Sequence, residues 1–121
     1  MQARILIERW VDLFNRGAAE ALGELYHDQS VNHQVPLNPV HGKAAIVEQF
    51  RREFAGAEMT CIVERIYEDG EWGILEWIDP VGLRGCGFFQ VVEGKIKFQR
   101  GYWDQLTFLK LHRLPLPKDG R

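Results

Sequence analysis

The sequence predicts an α+β domain: a strongly curved antiparallel sheet forming a cone-shaped half-barrel, with helices packed in its concave side. Three observations carry that reading. Hairpin signals at Asp69-Gly70, Asp79-Pro80-Val81-Gly82 and Glu93-Gly94 cut residues 59–104 into four strands rich in Trp, Ile, Val and Phe. Apolar residues recur at helical spacing before that meander and again in a short run after it. Gly85, Gly87 and Gly101 fall inside predicted strands, where a sheet bends or leaves room for a neighbour.

In chain order, Ala3, Leu6, Ile7, Trp10, Leu13 and Phe14 share one helical face, with Arg4, Glu8, Arg9 and Asp12 between them. Asn15-Arg16-Gly17 ends this first helix. A shorter second helix carries Ala18, Ala21, Leu22, Leu25 and Tyr26 inward and stops near His27-Asp28. Val31 and Val35 flank Asn32-His33-Gln34 as a short strand. Residues 36–42 form a rigid loop, because Pro36 and Pro39 remove donors and fix φ. Lys43 to Phe54 resumes a helical pattern, with Ile46, Val47, Phe50 and Phe54 on one face, until Ala55-Gly56. Met59 to Glu68 opens the meander. In its second strand, alternation puts Gly73, Leu75, Trp77 and Asp79 on one face and Trp72, Ile74, Glu76 and Ile78 on the other. Leu106, Phe108, Leu109 and Leu111 predict a closing helical turn before the extended Leu114-Pro115-Leu116-Pro117.

At 121 residues the chain is one domain, 1–121, and needs no staple to bury a core. A net charge of -2 gives no electrostatic reason to expect nucleic acid or an anionic membrane as a partner. Cys61 and Cys86 lie in predicted strands, not in a ligand-like spacing, and read as buried reduced thiols, with a pairing left open. Charges interrupt the first ten residues, so no secretion signal is expected and the protein reads as cytoplasmic. No cofactor and no metal are expected: the histidines lack a ligand spacing, and Gly85-Cys86-Gly87 lacks the strand-turn-helix context of a phosphate loop.

Several segments together resemble one family. They are the opening helix with Trp10 and Phe14-Asn15, Pro36-Leu37-x-Pro39-x-x-Gly42-Lys43, Glu76-x-x-Asp79, Phe89-Gln90, Glu93-Gly94-Lys95-Ile96, Arg100-x-Tyr102-x-Asp104 and Leu114-Pro115-Leu116. In order and spacing the chain resembles the nuclear transport factor 2-like superfamily, in its SnoaL-like and limonene-1,2-epoxide hydrolase-like branch, over nearly its full length. The resemblance implies the same conical fold and a homodimer through the outer sheet face, where Phe88, Phe98 and Tyr102 would lie exposed. In such epoxide hydrolases an Asp-Arg-Asp triad supplies base, bridge and acid, while Tyr and Asn on an earlier strand hold water. Here Asp79 matches one Asp, but Trp77 stands at the Arg position and Gly101 at the second Asp. Asn32 stands for the Tyr and Gln34 for the Asn. One carboxylate cannot be acid and base at once, so hydrolysis of that type is not expected.

Asp79 is the leading acid/base candidate, since aromatic and aliphatic neighbours on its face disfavour the charged carboxylate. It equally fits the first position of a type I turn before Pro80. Asp104 resembles the acid/base Asp of SnoaL-like cyclases, yet alternation turns Gln99, Gly101 and Trp103 inward and suits Asp104 to cap the closing helix. His33 is a further titratable candidate. Asn32 and Gln34 would orient water or a substrate carbonyl, and Trp10, Phe14, Phe50, Trp77 and Trp103 would line the pocket. Two functions follow. One is a cofactor-independent isomerase, lyase, cyclase or hydrolase acting on a small, mostly apolar molecule. The other is a non-catalytic module that binds such a ligand or dimerises.

Overall fold

The computed structural model describes residues 2–117. The elements run α1 (Gln2–Asn15), α2 (Ala19–Gly23), β1 (Tyr26–Gln34), β2 (Val40–His41), α3 (Lys43–Gly56), β3 (Ile62–Asp69), β4 (Trp72–Ile78), β5 (Arg84–Val92), β6 (Lys95–Trp103) and α4 (Gln105–Leu111). They build one six-stranded sheet in the order β2-β1-β6-β5-β4-β3. The meander from β3 to β6 is antiparallel throughout, as its turns predict. Glu93-Gly94 shows why that punctuation works: both residues have positive φ, 53° and 79°, the two-residue turn whose twist matches a hairpin.

The sheet as a whole is mixed and not purely antiparallel, because β1 joins β6 in parallel, with Asn32 opposite Gln99 and Gln34 opposite Gly101. Register shifts in β1, β3 and β5 bend the sheet, as bulges do. The second helix ends at Gly23, earlier than its apolar spacing predicts, and Tyr26 opens a nine-residue strand. The reason is tertiary: the Ile96 amide donates to the Leu25 carbonyl at 2.7 Å, and strand pairing with β6 takes over the backbone from there. The proline loop carries a two-residue edge strand, β2, and β3 starts at Ile62, later than Met59.

One face of the sheet holds α1 and α3. Ala3, Leu6, Ile7, Trp10, Val11 and Leu13 are the buried stripe of α1, and each such side chain stabilises by roughly 1.5–3 kcal/mol when large and fully covered. Gly73 makes the close approach possible, since a Cβ there would meet Ile7 and Ala3. Polar bonds pin both ends of α1 to β3 or its approach. Arg4 Nη2 donates to the Ile66 carbonyl at 2.7 Å, and the Asn15 amide bonds the Cys61 backbone at 2.9 and 2.7 Å. Burial pushes the Cys61 thiol up to about 12, which keeps it protonated. Among the described residues, no helix is long and apolar enough to cross a membrane.

Candidate active site

Helix α1 delivers Trp10 and Phe14, and α3 delivers Phe50 and Phe54, onto the concave face of the sheet. Their rings make one cluster. Trp10 stacks on Phe14 at 4.9 Å between centroids and meets Phe89 edge-on at 5.4 Å, while Phe14 meets Phe54 at 5.3 Å. The deep part of the cone is therefore packed with aromatic rings. Two surface depressions, of about 450 and 460 Å³, are lined around Asp28 by Lys43 and Arg51 in one case and by His27 and Lys97 in the other. Neither includes Asp79 or the amides described next.

Above the rings lies a layer of polar side chains from β1, β6 and α3. Trp10 Nε1 donates to the Tyr26 hydroxyl at 2.9 Å, and that hydroxyl donates in turn to Gln99 Oε1. Beside it, Asn32 Nδ2 donates to Gln49 Oε1 at 3.2 Å, Gln34 Nε2 to Asn32 Oδ1 at 2.8 Å, and Trp103 Nε1 to Gln34 Oε1 at 2.9 Å. Alternation explains the set: Tyr26 opens β1, and Asn32, Gln34, Gln99 and Trp103 occupy inward positions of neighbouring parallel strands. Among the described residues every fully buried side-chain N or O atom has a hydrogen-bond partner. The Tyr26 hydroxyl, fully buried, is pushed well above the ordinary phenol range, chiefly by desolvation, with the Glu53 carboxylate adding to the rise.

Two glycines shape this layer. A Cβ on Gly101 would overlap the Gln34 amide, and a Cβ on Gly85 would overlap the Trp77 indole. Gln34 and Trp77 thus lie flat across strands β6 and β5, and the chain uses glycine where they lie.

The wide end of the cone carries Asp79, just past β4. Its Oδ1 accepts from the backbone amides of Val81 at 3.0 Å and Leu83 at 2.9 Å, and the Leu83 carbonyl accepts from the Asp79 amide at 2.8 Å. Asp79 therefore holds its own turn, as Asp before Pro is suited to do. The second oxygen, Oδ2, stands 2.8 Å from His112 Nε2, and the Asp79 side chain is only 13% exposed. His112 follows α4, whose Phe108 ring lies 4.6 Å from the imidazole and 5.3 Å from Trp103. Helix α4 thus crosses the mouth with Asp79 at one side and Trp103 at the other.

A bent sheet with helices packed on one face is a fold shared with known proteins. The profile of the SnoaL-like domain matches residues 7–99. The chain belongs to this family. Several solved structures share the fold of this SnoaL-like domain. An LEH-like epoxide hydrolase from M. tuberculosis superposes with a TM-score of 0.80 at 21% identity, over 91% of this chain and 88% of that one. SalBIII, described as an epoxide hydrolase/cyclase-like enzyme in pyran ring formation in the polyether salinomycin, gives 0.77 at 20%, over 88% and 96%. A protein with a ketosteroid isomerase-like fold from Catenulispora acidiphila DSM 44928 gives 0.83 at 15%, over 91% and 93%. At these identities the likeness is one of fold. No curated protein matches the chain.

Within this SnoaL-like domain the residues singled out by sequence divide into groups. Asn32, Gln34 and Trp103 come together in the amide layer, Trp10, Phe14 and Phe50 in the ring cluster, and Trp77 and Asp79 toward the rim. His33 does not join them: period two turns it to the opposite face of β1, opposite Arg100. Asp104 lies exposed and caps α4, its Oδ2 accepting from the Thr107 amide at 2.9 Å and hydroxyl at 2.5 Å. Those Thr107 bonds hold its carboxyl below the ordinary range. Among the described residues no three His, Cys, Asp or Glu side chains converge as metal ligands. Sequence reasoning missed Gln49 and His112. Gln49 had a signal, since it falls on the buried stripe of α3 with Ile46 and Phe50. His112 had none, because its partner is 33 residues away.

Proposed function

We propose that this SnoaL-like domain is a cofactor-independent acid/base enzyme, of isomerase, lyase, cyclase or hydrolase type, acting on a small, mostly apolar molecule at the wide end of the cone. Asp79 is its acid/base. One observation carries the reading: two backbone amides fix Oδ1, which leaves Oδ2 free of the turn and 2.8 Å from the His112 imidazole. A carboxylate so oriented can take a proton through one oxygen without losing its place, and His112 can accept or return that proton. The epoxide-hydrolase triad is not the means, since Gln34 and Trp77 fill the ground above Gly101 and Gly85.

The test uses a terpenoid epoxide, a steroid enone and a polyketide-like aromatic ketone as probes. Asp79→Asn keeps the turn's acceptor oxygen and removes the proton carrier. Turnover of a probe by the native protein should fall at least ~100-fold in the variant while the circular dichroism spectrum is kept. Unchanged turnover would refute the assignment.

The non-catalytic reading, a ligand-binding or dimerisation module, is favoured by a specific observation too. The rings pack the deep cone and the buried amides satisfy one another, so the interior offers no open polar group. Under either reading we propose a homodimer through the convex sheet face, on which Trp72 packs against Phe98 and Phe88 against Tyr102. Two free thiols fit a reducing compartment, in keeping with a cytoplasmic protein.

A further inference from the structure

The net charge of -2 hides an uneven distribution. Residues 1–104 carry -5, whereas residues 105–121 carry +3. Lys110 and Arg113 lie on and just after α4, and no acidic residue occurs from Gln105 to Pro117. Phe108 and His112, four apart, turn toward the mouth through the ring contact with Trp103 and the pair with Asp79. Helical period puts Leu106 and Lys110 on the opposite side, and Leu106, Leu111, Leu114 and Leu116 are 37–50% exposed. A helix lying over a core usually shows water its polar side, but this one shows leucine and base. The same end of the cone carries more apolar surface. Val81 lies in the turn that Asp79 holds, and Val35 and Leu37 follow Gln34, whose amide bonds Trp103; all three are exposed. Among the described residues, seven of the twelve large exposed hydrophobic side chains are these three and the four leucines of α4 and its tail. Their concentration at one end, beside a local excess of positive charge, marks a contact surface.

We infer that this rim is a membrane-contact surface, which lays α4 and the mouth of the cone on an anionic lipid bilayer. The leucines and valines would enter the boundary between headgroups and acyl chains, with Lys110 and Arg113 on the lipid phosphates. Charge decides between occupants. A two-fold contact with a second copy would set one positive rim against another, whereas anionic headgroups complement it. The acidic groups at this end are engaged: Asp79 bonds its own turn and His112, and Asp104 bonds Thr107. The contact lies on the bilayer and does not cross it, since no described helix is long and apolar enough to span one. An apolar small molecule concentrates in lipid, so a mouth seated there would draw its ligand from the bilayer and not from water. Lipid contact does not depend on whether Asp79 is catalytic or only holds its turn.

The test is co-sedimentation of the full chain with vesicles of phosphatidylcholine and phosphatidylglycerol in equal parts, and with vesicles of phosphatidylcholine alone. The native protein should pellet with the mixed vesicles at low ionic strength, be released by added salt, and stay largely in solution with phosphatidylcholine. Lys110→Glu/Arg113→Glu should weaken binding at least ~10-fold. Leu106→Ser/Leu111→Ser, which keeps the charge, should weaken it several-fold. Both variants should keep the native circular dichroism spectrum, because no residue of α4 is buried. No pelleting with the mixed vesicles overturns the inference, and so does equal pelleting with both kinds. Binding indifferent to the leucine pair would show mere attraction of opposite charge and overturns it too. A halved mass of the leucine variant in light scattering would show that a second copy covers the rim, and would overturn lipid as its occupant.

Discussion

Gly101 shows what a single residue decides here. The Gln34 amide lies across it, held by Trp103 and Asn32, so an added methyl must push that amide away and break its bonds. Gly101→Ala should destabilise by about 1–2 kcal/mol in a urea titration, the worth of one or two hydrogen bonds. Gln34→Ala in the same chain should relieve much of that loss, a coupling of the kind neighbours show. Glu53 gives a second prediction, in pH. A carboxyl raised in the folded state contributes stability in full below its unfolded value, and that contribution is lost as pH rises through the folded value. Glu53→Gln should therefore melt above the native protein at pH 7, and the two melting temperatures should converge as pH falls below 4.5. Equal melting at both pH values would show the carboxyl to be well solvated.

Among the elements, α4 is the loosest. None of its residues is buried, and it is held by the Asp104 cap, the contact of Phe108 with Trp103 and the pair His112–Asp79. A partly exposed pair of this kind contributes of order 0–1 kcal/mol. His112→Ala should accordingly speed amide hydrogen exchange in residues 105–111 while leaving global melting nearly unchanged. Such helices were legible in the sequence for a local reason: α1, α3 and α4 announce themselves by period, and the hairpins by Asp-Gly and Glu-Gly turns. Strand β1 was not legible in full. Its residues 26–30 are mostly polar, and what makes them a strand is the backbone of β6. The site was half legible for the same reason, since alternation on one strand finds Asn32 and Gln34 but not the α3 and post-α4 groups brought to them by packing.

The whole molecule presents two unlike sheet faces. The concave one is filled from within, while the convex one carries Trp72 against Phe98 at 6.3 Å, Phe88 against Tyr102 at 5.8 Å, and Arg100 over Phe98 at 4.8 Å. Light scattering at micromolar concentration should give twice the 14.0 kDa chain mass, and Phe88→Glu should return the monomer, because a carboxylate at the centre of an apolar contact is left without water. The parallel seam between β1 and β6 has a consequence in time. Bonds such as that between Tyr26 and Gln99 join residues 73 apart, so β1 has only its two-residue pairing with β2 until the last strand has left the ribosome. Closing so long a loop first slows folding toward milliseconds to seconds. A chain cut before Lys95 would be born with one edge of its opening strand unmated, ready to pair with a stranger instead.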